Sequence, residues 1–511
     1  MGIRYKRTLI AVSALAMASC LRAAAQTPAD SADVGLDDCL RIALSESPTL
    51  RVADLDIVRV DYSRKETLSQ LLPQVSFGGQ YSRMLAKQVA YMNMSGFPGM
   101  GGGSTGDGTT GDGSDNTGSD AAKETSKSRK DTGIKMGLDN SFQVGFNASV
   151  PIIAPQIWQA LKLSDAQIAT TVEQARASRL NLINSVKSAY YAYLLARESR
   201  QVIGESYDMA ALTHDIYVKQ HAVGSASEYD VLRTSVAMKN IEPQITQADI
   251  AVSRARMQLF MLMGVSIESP LRINGSLSEY EKTMYDDVMR LGSDYSNNSQ
   301  LRLNTLQTEA LRRSVKMNRM SWWPTLSLSA SYNWTSSSDG SPFKNFRWNP
   351  YSVVGLSLNF PLFQGGARSA RIRQAQIQVK QAEFQRQDLE NSVAMQVELA
   401  KDNVMLNVKQ IASSGESVGQ AERAHSIMQQ SFEIGAASYL DLRDSELALT
   451  NSRLSYIQSI YNYLVAGAEL ELLLGNAVVP GEEISTVSFS PAFKTLFTGE
   501  TSVETPDTQN K

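Results

Sequence analysis

Cysteine, histidine and long apolar stretches are scarce in this 511-residue sequence, and each scarcity excludes a class of protein. Two cysteines are too few for a disulfide-stapled fold, and Cys39, in an amphipathic segment, is predicted to be a small buried side chain. The formal net charge of −3 gives no indication of a nucleic-acid partner. Beyond the N-terminus no apolar run is long enough for a membrane-spanning helix.

The N-terminus has the pattern of an export signal. A basic start precedes an apolar segment from Leu9 to Ala18, and three alanines at 23–25 form a small-residue cleavage site. Residues 1–25 are therefore predicted to be a signal peptide. Cys20 is an alternative position for a lipid anchor, although Met17, three residues before it, makes a poor lipidation motif.

The remainder of the chain is duplicated. Gly435 lies 211 positions after Gly224 in a similar Gly-Ser/Ala-Ala-Ser segment, and Leu-Leu-Gly at 473–475 lies 211 positions after Leu-Met-Gly at 262–264. The predicted organisation is a first repeat at 36–264, a second at 266–475 and a C-terminal tail at 476–511. Upstream the offset grows to 251, because the first repeat contains a loop of extra residues at 84–135.

Four segments alternate apolar and polar residues with a period of two, which predicts strands with unlike faces. They are Val75–Ser82, Phe142–Val150, Leu326–Trp334 and Val354–Phe360. Such segments are typical of transmembrane barrel strands, although the core face of a soluble sandwich has a similar pattern. Four strands cannot close a barrel, and open edges are not tolerated in lipid, so several copies of the chain are expected to share one.

Two proline-free stretches of 68 residues, 156–223 and 367–434, predict helices about 100 Å long. After each of the two glycines a return helix of about 40 residues is expected, such as Ala436 to Leu474. The predicted fold class is therefore mainly α with a small β part. In the second stretch a narrow coiled-coil seam is formed by Ile372, Ala375, Val379, Ala382, Leu389, Val393, Val397, Ala400, Val404, Val408 and Ile411.

No motif in the sequence indicates catalysis. A Walker phosphate loop, a serine nucleophile elbow and a paired-histidine metalloprotease helix are all missing, so an enzyme and a bound cofactor are not expected. The Gly/Asp stretch at 106–120 could suggest calcium, and Met92, Met94 and Met100 a soft metal. A plain flexible loop explains both features better, and no metal site is predicted.

Two histidines occupy equivalent places ten residues before the duplicated glycines. In an oligomer His214 and His425 would form a ring that gains charge below about pH 6.5. The alternative is a solvated helix face retained from the duplication.

Carboxylates gather just after the same glycines. Asp230 follows Gly224, while Asp441 and Asp444 follow Gly435 and lie three residues apart, hence on one helical face. Symmetry would multiply them into stacked acidic rings. Alternatively, acidic residues early in a helix simply complement the helix dipole.

Together the export signal, the duplicated unit of two strands and two long helices, and the Gly-x-x-Ser-x-x-Asp segments resemble the TolC-type outer-membrane efflux family. The resemblance covers Leu36 to Gly475. It implies an outer-membrane homotrimer with a twelve-stranded barrel in lipid and a twelve-helix coiled-coil tunnel reaching into the periplasm. It also implies two partners, a periplasmic adaptor and an inner-membrane pump, and a passive exit duct for efflux or type I secretion.

The resemblance also assigns a gate at the turns near Gly224 and Gly435. It implies that Asp441 and Asp444 form acidic rings at the periplasmic entrance and that Asp230 belongs to the constriction network. Ala437 and Phe432 stand where the family places basic and tyrosine partners of that network, and Arg443 is the candidate replacement.

Two other classes of function compete with the duct. An exported coiled-coil scaffold or adhesin would explain the helices but not the four strands, and an exported enzyme is not indicated by any motif. The sequence does not indicate whether the cargo is a drug, a metal ion or a polypeptide.

Overall fold

The computed structural model of the chain describes residues 33–90, 134–281, 294–341 and 347–476. The signal peptide with Cys20, the 106–120 stretch, the three methionines and the tail beyond residue 476 lie outside the described residues. The described residues form two compact units. The helical unit comprises those within 33–67, 158–320 and 365–476, and the sheet unit comprises those within 68–157 and 321–364.

Up to residue 281 the elements are β1 (Asp33–Val34), α1 (Leu36–Glu46), α2 (Pro48–Ser69), β2 (Gln74–Arg83), β3 (Gln88–Ala90), β4 (Ile134–Met136), β5 (Asn140–Ile153), α3 (Pro155–Ala222), α4 (Glu228–Lys239), α5 (Glu242–Met263), β6 (Arg272–Ile273) and α6 (Leu277–Glu281). From residue 299 they are α7 (Ser299–Arg319), a 3₁₀ turn (Met320–Trp322), β7 (Thr325–Ser338), β8 (Asn349–Asn359), α8 (Ala367–Glu433) and α9 (Tyr439–Leu474). The prediction of a mainly helical chain with a small β part is confirmed.

The two long helices begin and end within a residue of the predicted bounds. α3 has 68 residues and α8 has 67, so each extends about 100 Å. Every position of the predicted seam in α8 is buried or half-buried, whereas most of the polar positions between them are exposed. Because so narrow a seam buries little surface, α8 depends on neighbouring helices along its length, and α9 packs against it.

The return helices differ between the repeats. α9 is one helix of 36 residues, but the first repeat has two, α4 with 12 residues and α5 with 22. The expectation of one continuous return helix in the first repeat was wrong. Pro243 explains the break, because proline has no N–H to donate and its ring clashes with the carbonyl of Lys239, four residues earlier.

The four predicted strands form one antiparallel sheet in the order β2-β5-β7-β8. Its register aligns the apolar sets of all four strands on one face. Phe77 pairs with Phe146, and Phe146 with Tyr332, and the Phe77 and Phe146 ring centroids are 4.9 Å apart. The opposite face carries mostly serine, asparagine and glutamine. The apolar face is largely uncovered, since Phe77 is 63% exposed and Val354 is 74% exposed.

The sheet has two open edges. Among the described strands, β2 pairs only with β5, and β8 pairs only with β7. An open edge presents a row of unpaired backbone N–H and C=O groups, which are available to another strand.

The core of the helical unit is built where α1, α3, α5, α8 and α9 meet. Cys39 is fully buried there, as predicted, and burial raises the pKa of its thiol to about 12, with a smaller contribution from the charge of Asp38. The hydroxyl of the buried Tyr190 donates to the carbonyl oxygen of Asn274 at 2.6 Å. None of the helices in the described ranges contains a stretch both long and apolar enough to cross a membrane.

Gly145 in β5 is required by the close approach of β7. A Cβ added there would lie 2.6 Å from the carbonyl oxygen of Tyr332 and 2.8 Å from the Cα of Asn333. We expect Gly145→Ala to destabilise the protein by about 1–3 kcal/mol, the usual cost of overpacking. Its cross-strand partner Gly78 has no heavy atom within 4 Å of such a Cβ and supplies the matched control, Gly78→Ala. Thermal unfolding of the two purified variants checks this, and equal unfolding midpoints would contradict it.

Candidate functional site

The chain reverses twice in the helical unit, in a first hairpin of α3, α4 and α5 and a second hairpin of α8 and α9, and the two hairpin tips have the same construction. Gly224 and Gly435 both adopt a positive φ, +77° and +75°, which glycine reaches without steric cost. The amide of Gly224 donates to the carbonyl oxygen of His221 at 2.9 Å, and that of Gly435 donates to Phe432 at 3.0 Å. The glycines thus end α3 and α8 in the same way and reverse the chain.

Each return helix then begins with a capping box. The Ser227 hydroxyl accepts from the amide of Asp230 at 3.2 Å, while the Asp230 carboxylate accepts from the Ser227 hydroxyl at 2.6 Å. Ser438 and Asp441 repeat this arrangement, with the hydroxyl donating to the carboxylate at 2.8 Å. These hydrogen bonds to serine lower the pKa of both carboxyls, so both stay ionised at neutral pH.

Asp444 and Arg443 have different surroundings. Asp444 is exposed, one turn beyond Asp441. Arg443 is largely buried, and its Nη1 lies 3.6 Å from Oε2 of Glu446, which is only 4% exposed. Burial raises the pKa of Glu446, and the nearby Arg443 guanidinium opposes that shift. Among the described residues Arg443 therefore pairs with Glu446 rather than with either aspartate.

Close to the tips, the first hairpin contacts the second through four side chains, here called the tip cluster: Tyr217, Arg233, Phe432 and Tyr439. The Tyr217 ring lies 5.8 Å from that of Tyr439 in an edge-on arrangement and 6.1 Å from that of Phe432. The Arg233 guanidinium carbon lies 4.4 Å from the centroid of the Tyr439 ring. Burial raises the pKa of both tyrosines, so both rings stay neutral.

The two histidines lie between helices. His214 Nδ1 is 3.0 Å from the hydroxyl of Thr234, and His425 Nδ1 is 3.3 Å from that of Ser445. Both rings are half-buried, so the interpretation as a solvated helix face was wrong. Burial lowers the pKa of His425, and the charge of Arg453 lowers it further.

Further from the tips an ion triad joins the same hairpins. Arg453 in α9 donates through Nη1 to Glu205 in α3 and through Nη2 to Glu422 in α8, both at 2.8 Å. The single guanidinium thereby connects three helices drawn from the two repeats.

Sequence reasoning identified the tips but missed the tip cluster. One signal was available, because Arg233 occupies in the first repeat the position of Asp444 in the second, 211 residues later. A reversal of charge at equivalent positions indicates that the two tips play different roles.

Two duplicated helical hairpins and a four-stranded sheet drawn from both repeats form the architecture that the sequence predicts for an outer-membrane channel of the efflux class. Residues 39–265 and 294–476 match the family described as outer membrane efflux protein. The chain belongs to this family. The expectation of an outer-membrane channel for efflux or secretion is thereby confirmed at the level of the family, which consists of channels and not enzymes, and the scaffold alternative is not favoured.

Individual relatives share the family at low identity. The chain is 21% identical over 326 residues to the outer membrane protein TolC of Escherichia coli, covering 62% of this chain and 66% of that one. It is 23% identical to the alkaline protease secretion protein AprF of Pseudomonas aeruginosa, covering 64% and 68%. It is 22% identical to the cobalt-zinc-cadmium resistance protein CzcC of Cupriavidus metallidurans, covering 69% and 79%.

Solved structures share the fold over more of the chain. The Campylobacter jejuni CmeC outer membrane channel superposes with a TM-score of 0.64 at 16% identity, over 88% of this chain and 87% of that one. The open state of the Neisseria gonorrhoeae MtrE outer membrane channel superposes with a TM-score of 0.63 at 15% identity, over 88% and 91%.

Proposed function

We propose that three copies of this chain form a passive exit duct in the outer membrane. Each copy would contribute β2, β5, β7 and β8 to a closed twelve-stranded barrel. The observation that carries this proposal is the sheet itself, whose apolar face is exposed and whose two edges are open. In lipid the apolar face is stabilised and every edge must be paired, so the β2 edge of one copy would meet the β8 edge of the next.

The interior of such a barrel would be polar. The face opposite the apolar one carries Gln74, Ser76, Asn147 and Ser149, which line a depression of about 420 Å³ together with serines of β7. The hairpins of the two repeats, 36–264 and 266–475, would supply four helices per copy to a twelve-helix coiled-coil tunnel. The duct has no energy source of its own in this proposal.

The gate of this duct is proposed at the hairpin tips. Asp441 and Asp444, multiplied by three copies, would place six carboxylates around the periplasmic entrance, with Asp230 nearby on the first hairpin. The capping box holds Asp441 in its charged form. Because Ala437 and Phe432 stand where the resemblance implies basic and tyrosine partners, the tip cluster would hold the closed state here, and opening would be a shear of one hairpin past the other.

Partners are proposed from the chemistry of the same tips. Val223 and Ile434, at equivalent positions, are 80% and 82% exposed, and Tyr229 and Leu440 form a second equivalent pair at 67% and 58%. Apolar side chains so exposed suit docking of a periplasmic adaptor protein. An inner-membrane pump would supply the energy and select the cargo, since relatives are named for protease secretion and for metal resistance.

The test is conductance of the purified protein in a planar lipid bilayer, with divalent cations added on the side of the helical tips. Asp441→Ala/Asp444→Ala is expected to weaken cation block about tenfold or more, because six carboxylates leave the entrance. Since Ser438 lowers the pKa of Asp441, we expect block by the wild type to persist below the usual carboxyl range. Ser438→Ala is the control, because it removes the same helix cap and keeps the charges. Absence of channels, or unchanged block, would refute the proposal.

A further inference from the structure

A basic groove runs between the end of α7 and the start of α8. It has a volume of about 750 Å³ and includes five cationic side chains in its lining: Arg312, Lys316, Arg319, Arg373 and Lys380. Two carboxylates, Glu309 and Glu383, also line it. Glu383 accepts from Arg312 at 2.9 Å, and Glu309 accepts from Arg313 at the same distance, so both carboxylates are already neutralised.

Among the described residues, the other four cations of the groove have no anionic partner. Lys316, Arg319, Arg373 and Lys380 are all exposed, and none forms an ion pair or a hydrogen bond with another side chain in the described parts of the chain. The groove therefore presents four uncompensated positive charges over a short length of two helices.

The start of α8 adds to this excess of positive charge. Residues 367–382 contain three arginines and one lysine and no acidic residue. Like charges along one helix repel one another, and an anion bound in the groove would relieve this repulsion.

The first repeat carries less charge at the equivalent positions. Lys65 corresponds to Lys316 but is paired with Asp61 at 2.7 Å. Lys162 corresponds to Arg373 and keeps the positive charge, whereas Leu68 and Ala169 stand where Arg319 and Lys380 stand in the second repeat. The excess of positive charge is thus smaller in the first repeat.

The chain also shows where the groove would lie, if the sheet spans the membrane as proposed above. Arg319 precedes β7 by six residues, and α8 begins eight residues after β8, so these two helix ends stay within about 20–30 Å of a strand end along the chain. Of the four cations, Lys380 is the furthest from a strand along the chain, about 20 Å beyond the start of α8. Trp322 and Trp323 follow Arg319 by three and four residues and are 50% and 59% exposed. Exposed tryptophans next to cations are typical of a membrane interface.

We propose that the basic groove binds the headgroup phosphate of anionic phospholipid in the periplasmic leaflet of the outer membrane. The inference rests on the proposed function, which brings these helix ends to that leaflet. Because salt screens the attraction between four cations and an anionic surface, we also expect lipid binding to weaken as the salt concentration rises.

Native mass spectrometry of the full-length protein, with equimolar phosphatidylglycerol and phosphatidylcholine of identical acyl chains, tests the proposal. We expect about a tenfold preference for phosphatidylglycerol in the wild type, lost in Lys316→Gln/Arg319→Gln/Arg373→Gln/Lys380→Gln. The control removes four exposed cations elsewhere on the hairpins and should keep the preference: Lys239→Gln/Arg254→Gln/Lys409→Gln/Arg423→Gln.

Several outcomes would overturn the assignment. The preference for phosphatidylglycerol could persist in the groove variant, or the control variant could lose it to the same extent. Equimolar inorganic phosphate could displace the lipid, or the protein could retain a polyglutamate peptide more tightly than the lipid. Conductance in a pure phosphatidylcholine bilayer separates the two proposals. Channels without lipid preference would reject only the groove, whereas absence of channels would reject the duct.

Discussion

Val354→Arg is expected to abolish assembly of the protein in the outer membrane. Val354 lies on the apolar face of β8 opposite Ala330 and is 74% exposed, so in the proposed barrel it faces lipid. An arginine on the lipid face costs about 2–4 kcal/mol near the bilayer midplane, and a trimer would carry that cost three times. The yield of heat-resistant trimer in the outer-membrane fraction measures the effect.

The neighbouring residue is the control. Val353 is also a valine and is 53% exposed, but it pairs with Ser331 on the polar face, which the proposal directs toward water. Val353→Arg should therefore assemble at close to the wild-type level. Equal losses for the two variants would show that the faces are not distinguished by lipid, which would contradict the barrel.

Tyr439→Ala is expected to open the channel. The substitution removes the edge-on contact with Tyr217 and the surface on which Arg233 rests, which together contribute about 1–3 kcal/mol per copy to the contact between hairpins. With three copies, the closed state would lose about 3–9 kcal/mol. A rise in single-channel conductance, with entry of large hydrophilic solutes into cells, is the measurement.

Tyr229 provides the comparison for this experiment. It is a tyrosine of the first hairpin tip, is 67% exposed and has no ring contact among the described residues. Tyr229→Ala should leave the conductance unchanged, while Arg233→Ala should resemble Tyr439→Ala with a smaller effect. If the conductance of Tyr439→Ala stayed at the wild-type value, the tip cluster would not hold the closed state.

Local rules in the sequence explain how much of the fold could be predicted. Glycine at positive φ, serine at the N-cap and the alternation of apolar residues act over a few positions, so the tips at Gly224 and Gly435 and the four strands followed from them. The break before α5 follows from an equally local rule, because proline at position 243 cannot continue a helix. That break was missed because the uninterrupted α9 served as the pattern for both repeats.

The tip cluster could not be predicted in the same way. Tyr217 and Tyr439 are 222 positions apart. Tyr217 lies in α3, and Tyr439 begins α9, directly after the end of α8. Their contact therefore depends on the rotational phase of α3 and α8, each more than sixty residues long. The direction in which a side chain points differs between a straight and a supercoiled helix by about 20° per heptad. Over about nine heptads this difference amounts to half a turn around the helix. Sequence spacing alone therefore does not say which residues of the two hairpins meet.

Arg233 and Asp444 stand at the same position of two copies that began as one. A channel assembled from six identical hairpins would place the same charge at all six tips, and the electrostatic field around its entrance would have one sign throughout. Fusing two copies in one gene lets each change alone, so in the proposed threefold assembly a tip with Arg233 would alternate with a tip with Asp444. The electrostatic field around such an entrance would then vary with threefold rather than sixfold symmetry.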